Sequence, residues 1–183
     1  MIVLIVGGAK SGKSMLGQHI AKEIESINGK LYYVATMKPF DKEDLKRIEN
    51  HLLERKDWGF ETIEQDKNIE NILKYIEKED TLLIDSLTSL VTNEMFIDNN
   101  FVLEVQEKIL NEVKLISNKT SNVVIVTDYL FSDSIVYDKY TEAFRRELGK
   151  LNREIAEISD VVIECSFNNK IVHKGKDYIG NLL

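Results

Sequence analysis

The first fourteen residues constrain the fold of this chain more than any other stretch. Met1-Ile2-Val3-Leu4-Ile5-Val6 is an apolar run, and Gly7-Gly8-Ala9-Lys10-Ser11-Gly12-Lys13-Ser14 follows it directly. The spacing is G-x-x-x-x-G-K-S, set between a predicted buried strand and a predicted amphipathic helix, which is the setting a phosphate-binding loop needs. Glycines let the backbone bend round a polyphosphate without Cβ clashes, so that successive N–H groups point at the anion. The start of the following helix adds partial positive charge. In such a loop Lys13 reaches the β- and γ-phosphates and the Ser14 hydroxyl can ligate Mg²⁺. The motif predicts that the chain binds a nucleoside triphosphate.

The rest of the chain alternates apolar runs with helical patterns. Strands are expected at Ile2–Val6, Leu31–Ala35, Thr81–Asp85, Asn122–Thr127 and Val161–Cys165, with a shorter one at Phe60–Glu64. Asn168-Asn169 reads as a hairpin turn into Lys170–His173. Helices are expected from Lys13 to about Ile27, over 41–56, over 66–78, and at Leu87–Phe96, Phe101–Ser117 and Lys139–Ile158. Strands separated by helices of ten or more residues imply parallel βαβ units with helices on both faces. The expectation is an α/β fold in a single domain over residues 1–183, with no linker or repeat.

Composition narrows the partners. A net charge of −7 argues against a broad nucleic-acid surface, which needs clustered Lys and Arg. No stretch reaches the 18 apolar residues needed to span a bilayer. The apolar N-terminal run is too short for a secretory signal and lacks a basic leader, so a cytoplasmic location is expected. The single Cys165 can make no internal disulfide and reads as a small core thiol within a strand.

Thr81-Leu82-Leu83-Ile84-Asp85 is a second signal, since a carboxylate ending an apolar strand can hold the Mg²⁺ attached to Ser14. The competing reading makes Asp85 a cap for the next helix. A regulatory GTPase would carry D-x-x-G and N-K-x-D. Here Asp85 is followed by Ser86-Leu87-Thr88, and Asn118-Lys119-Thr120-Ser121 lacks the aspartate. His51 lies at the border of the stripe formed by Leu45, Ile48 and Leu52, while His19 and His173 have no supporting context.

These segments together resemble the bifunctional adenosylcobinamide kinase/adenosylcobinamide-phosphate guanylyltransferases. The resemblance rests on the loop, on Tyr33-Val34-Ala35-Thr36, on Arg47-Ile48-Glu49-Asn50-His51 and on Thr62-Ile63-Glu64. It continues through Val91-Thr92-Asn93 and through Phe144-Arg145, Gly149 and Asn152, and runs from residue 1 to about 175. It implies a P-loop fold whose sheet is parallel save for its last strand, assembly as a homotrimer, and two reactions. The first phosphorylates adenosylcobinamide with ATP or GTP. The second transfers GMP from GTP to the resulting phosphate through a guanylylated histidine, the position that His51 matches. Nucleotide contacts carry over to Gly7–Ser14, Thr36, Met37, Lys38, Leu52, Leu53, Glu54, Arg55, Glu64 and Asp85, and catalytic roles to His51, Lys13 and Asp85. Two departures stand out: Lys56 where the family commonly has proline, and a stretch from His51 to Thr62 that is one residue longer than usual, so that Phe60 and not Trp58 takes the family's aromatic position. Two other readings remain open: a P-loop kinase for another small hydroxyl compound, with His51 non-catalytic, and a nucleotide-dependent switch or assembly ATPase.

Overall fold

A computed structural model describes residues 1–39, 46, 53, 55–97, 100–130, 134–167 and 169–180. Its strands are β1 (Ile2–Gly7), β2 (Leu31–Ala35), β3 (Phe60–Glu64), β4 (Thr81–Asp85), β5 (Phe96–Ile97), β6 (Asn100–Phe101), β7 (Asn122–Asp128), β8 (Val161–Ser166) and β9 (Asn169–Lys174). Seven of them form one sheet in the order β3-β2-β4-β7-β1-β8-β9, and β5 and β6 make a separate pair. Neighbours in the large sheet run parallel except β8 and β9, which pair antiparallel. The expected α/β architecture, with one reversed strand at the C-terminal edge, is therefore what forms.

Side-chain alternation along these strands divides the core into two layers. Leu4, Tyr32, Val34, Leu82, Ile84, Val123 and Ile125 face one side. There they meet helices α2 (Leu87–Met95), α3 (Val105–Lys119) and α4 (Lys139–Ile158). Val3, Ile5, Leu31, Tyr33, Leu83, Val124, Val126 and Ile163 face the other, against Leu16, Ile20 and Ala21 of α1 (Lys13–Glu23). Both faces of β1, β2, β4 and β7 are thus apolar, as buried parallel strands require. Cys165 is buried at 3% exposure, as expected of a core thiol.

Three helices differ from their expected spans. α1 stops at Glu23, short of Ile27, and its last amide bond is Ile24 N–H to the Ile20 carbonyl. A Ser26–Gly29 turn follows, closed by the Gly29 amide on the Ser26 carbonyl. Over 66–78 only a 3₁₀ helix forms, at Ile69–Lys74. The Phe101–Ser117 helix begins later, at Val105, because Asn100–Phe101 instead pairs antiparallel with Phe96–Ile97. α4 matches its expectation end to end, with Leu148, Leu151 and Ile155 buried and the Asp138 carboxylate accepting the Tyr140 and Thr141 amides as its N-cap. The expected 41–56 helix lies mostly outside the described residues; Lys46 and Leu53 within it are helical.

Candidate functional site

The site forms at the C-terminal ends of the parallel strands. Register aligns Ala35 of β2 with Glu64 of β3 and with Asp85 of β4. On the other side of β4, Gly7 of β1 is level with Asp128 of β7. Strand ends carrying the loop and the carboxylates of Glu64, Asp85 and Asp128 therefore lie along one rim.

The loop Gly7–Ser14 leaves β1 and turns into α1. Gly7 has no room for a side chain, because a Cβ there would sit 2.5 Å from the Cys165 carbonyl oxygen and 2.7 Å from Ser11 Oγ. Gly12 takes φ +84°, a left-handed conformation that suits glycine. No side chain caps α1, so the first amides of the helix keep their affinity for an anion. The Ser11 hydroxyl is buried without a hydrogen-bond partner among the described residues, which fits a ligand oxygen at this place. Lys13 is buried at 7% exposure. Its ammonium donates to the Gly8 carbonyl at 2.6 Å and pairs with Asp128 Oδ1 at 2.8 Å.

Asp85 does not cap the helix after it. Ser86 does, accepting the Ser89 amide on its hydroxyl. The Asp85 carboxylate instead receives the Tyr33 hydroxyl on Oδ2 at 2.8 Å. Above the Tyr33 ring, at 3.8 Å from its centre, stacks the Arg55 guanidinium, which also donates to Thr62 Oγ1 at 3.1 Å. Burial pushes the Arg55 guanidinium below its ordinary range, with Tyr33 and Asp85 opposing.

Thr36 bridges strands. Its hydroxyl donates to the Ser86 carbonyl at 2.8 Å and accepts the Ser86 amide at 2.7 Å. Its carbonyl accepts from Asn93 Nδ2 at 2.8 Å. Met37 is half-buried, while Lys38, Glu64 and Leu53 are exposed. Ala9 and Lys10 form the exposed crest of the loop. His51, Leu52 and Glu54 lie outside the described residues. His19 stacks edge-on against Trp58 at 4.5 Å, and His173 bonds Glu164 at 2.8 Å on the β8–β9 edge.

Asp128 is the site residue that sequence reasoning missed. The signal was present: Val123-Val124-Ile125-Val126-Thr127-Asp128 repeats the pattern of an apolar run ending in aspartate that singles out Asp85. Tyr33 is hidden more deeply, because nothing in Leu31-Tyr32-Tyr33-Val34 says which hydroxyl faces the site.

Among the described residues, no cluster of three or more His, Cys, Asp or Glu side chains could hold a metal, and no helix is long and apolar enough to cross a membrane. A hydroxyl at Ser14 and a carboxylate at Asp85 are the hard oxygen donors that suit Mg²⁺, which keeps several waters and needs few protein ligands.

Comparison with known proteins identifies relatives of the whole chain. The chain is 24% identical over 174 residues to the bifunctional adenosylcobalamin biosynthesis protein CobU of Escherichia coli (strain K12), covering 88% of this chain and 93% of that one. It is 28% identical over 155 residues to the corresponding protein CobP of Pseudomonas aeruginosa, covering 84% of this chain and 86% of the other. In structure it is similar to a prototypical ATPase from the type III secretion system of pathogenic bacteria, with a TM-score of 0.56 at 15% identity. That match covers 91% of this chain and 51% of the ATPase, and it is a likeness of fold alone. The pattern of one family, described as cobinamide kinase / cobinamide phosphate guanyltransferase (CobU), matches residues 3–167, and with that match across nearly its whole length the chain belongs to this family.

Proposed function

We propose that this protein phosphorylates adenosylcobinamide and then guanylylates the product, using the loop at Gly7–Ser14 for the triphosphates of both steps. The family match over residues 3–167 carries this reading. The curated relatives are named as bifunctional adenosylcobalamin biosynthesis proteins, which favours two activities over a single kinase step.

In the kinase step the aminopropanol hydroxyl attacks the γ-phosphorus of ATP or GTP. A new P–O bond forms, the bond to the β-phosphate oxygen breaks, and the hydroxyl proton passes to solvent water. Such a transition state needs mainly positioning and charge stabilisation. Lys13 and the amides of the loop supply both. In the second step an imidazole nitrogen of His51 attacks the α-phosphorus of GTP, and pyrophosphate leaves. Adenosylcobinamide phosphate then attacks the same phosphorus through a phosphate oxygen, forming adenosylcobinamide-GDP and releasing the imidazole. A neutral imidazole suits this role near pH 7, because its ordinary pKa is about 6.5.

Ser14 and Asp85 would hold Mg²⁺, which when bound offsets charge on the phosphate oxygens. The Tyr33 hydroxyl fixes the direction of the Asp85 carboxylate, as ligating carboxylates require. Further nucleotide contacts are assigned to Thr36, Met37, Lys38, Leu52, Leu53, Glu54, Arg55 and Glu64. The assembly is a homo-oligomer, a trimer by family resemblance, working in the cytoplasm.

Covalent labelling tests the reading. Incubation with [α-³²P]GTP should leave acid-labile, base-stable label on the protein, and His51→Ala should abolish it while sparing phosphorylation of adenosylcobinamide. Label that persists in His51→Ala removes His51 as the nucleophile. A wild-type protein that phosphorylates without ever taking label is a kinase alone.

A further inference from the structure

The loop lysine has two acceptors already. Besides the Gly8 carbonyl at 2.6 Å, Asp128 Oδ1 binds its ammonium at 2.8 Å, and the two paired side chains keep only 8% and 25% of their exposure. Lys13 has one ammonium, and a phosphate oxygen that reaches it must compete with a carboxylate of the same charge.

Asp128 is fixed where it stands. Its amide donates to Thr88 Oγ1 of α2 at 2.9 Å. Its carbonyl accepts from Asn152 Nδ2 of α4 at 3.0 Å, and Asn152 Oδ1 in turn accepts the Thr127 hydroxyl at 2.8 Å. The next amide, that of Tyr129, donates to the Gly7 carbonyl at 3.2 Å and ties the end of β7 to the root of the loop. Three elements thus hold the backbone of Asp128 through main-chain atoms. Among the described residues its carboxylate bonds only Lys13. Asp85, by contrast, is engaged by Tyr33 and not by the lysine. The two strand-end carboxylates therefore do different work.

We propose that Asp128 is a positioning residue that sets nucleotide affinity: it holds the Lys13 ammonium against the loop, and a triphosphate oxygen must displace its carboxylate to bind. The proposal rests on the loop being the triphosphate site. It follows from electrostatics at short range in a half-buried setting, where a charge-assisted bond counts for more than in water. Holding the lysine this way keeps its long side chain in one orientation. The same contact lowers affinity, because binding exchanges one anionic partner for another.

The test is equilibrium binding of inorganic tripolyphosphate and of GTP, followed by calorimetry with metal chelated so that the ammonium dominates. Asp128→Asn keeps the volume and every main-chain bond but removes the charge, and Asp128→Ser is the second variant should the first fail to fold. Either should bind tripolyphosphate and GTP about tenfold more tightly, the scale of one charge-assisted hydrogen bond. In a Lys13→Met background the same change should gain less than about threefold, since only anion repulsion is then relieved. A structural role alone would not depend on Lys13 in this way. Unchanged or weakened binding in both variants overturns the proposal, as does an equal gain with and without Lys13. A wild-type protein that binds neither ligand overturns the loop reading itself, and the proposal with it.

Discussion

Tyr33 serves the site with both its ring and its hydroxyl. The hydroxyl donates to Asp85 Oδ2 at 2.8 Å, while the ring face carries the Arg55 guanidinium at 3.8 Å. Arg55 is itself buried, at 5% exposure, so a cation–π contact here is desolvated and of real weight. The pair links the segment just after His51 to the carboxylate proposed for the metal. Tyr33→Phe separates the two functions, because it keeps the ring and the Arg55 stack but deletes the bond to Asp85. It should cost about 1 kcal/mol of stability, the usual net worth of one hydrogen bond. It should also raise the Mg²⁺ concentration for half-maximal phosphorylation by about tenfold, the low end of what outer partners of metal ligands contribute. A Mg²⁺ titration of the kinase reaction, set beside thermal unfolding, reads both. Lost stability with unaltered Mg²⁺ dependence would make the hydroxyl a packing feature only.

The 3₁₀ helix Ile69–Lys74 shows why an element can be shorter than its pattern. Ile69, Ile72 and Ile76 are all fully buried, so the apolar periodicity was sound. Its start, however, is decided from outside. The Asn68 amide donates to Glu94 Oε1 of α2 at 2.7 Å, and the Ile69 amide to Glu112 Oε2 of α3 at 3.2 Å. Lys108 lies between the two acids, 2.5 Å from Glu94 and 3.7 Å from Glu112. No local sequence window contains those partners. The start of α3 is set differently, by its own approach: Val102 donates to the Met95 carbonyl and Glu104 takes φ +62°, holding Phe101–Leu103 out of the helix. The strands were legible because alternating burial is written into each of them; these helix starts were not. Burial pushes the Glu112 carboxyl above its ordinary 4.5, with Lys108 opposing and Glu94 and Glu70 reinforcing. The folded chain therefore keeps that proton to higher pH than the unfolded chain. The stabilisation is complete below the unfolded carboxylate pKa and is lost as pH climbs through the folded value. Glu112→Gln keeps an acceptor for Ile69 and cannot ionise. Its melting temperature relative to wild type should rise as pH climbs through the range above the ordinary glutamate pKa. A difference that is flat across that range would show Glu112 titrating as it does in the unfolded chain.

At the scale of the molecule, sheet order does what no motif can. β7 is inserted between β1 and β4, so Asp128 rather than Asp85 stands next to the loop strand. Sequence alone shows two strands ending in aspartate but not which one neighbours the lysine, because that depends on a crossover. The loop's own chemistry was legible, since all of it lies within eight consecutive residues. The same inserted order puts both core layers on one sheet: α1 packs over β4 and β7 on one face, while α2, α3 and α4 cover the other. A ligand held at the rim therefore touches strands shared by both layers. We propose from this that residues 1–183 unfold as one unit, with the site coupled to the entire core. GTP with Mg²⁺ at a hundred times its dissociation constant should add about 2.7 kcal/mol of stability. For a chain of this size that is a rise in melting temperature of about 5–11 °C. Calorimetry should show a single transition that moves upward as a whole. Lys13→Ala should unfold in the same single step but lose most of the shift at that GTP concentration. Two transitions, with only one responding to GTP, would mean that the layers separate and that the rim stabilises just one of them.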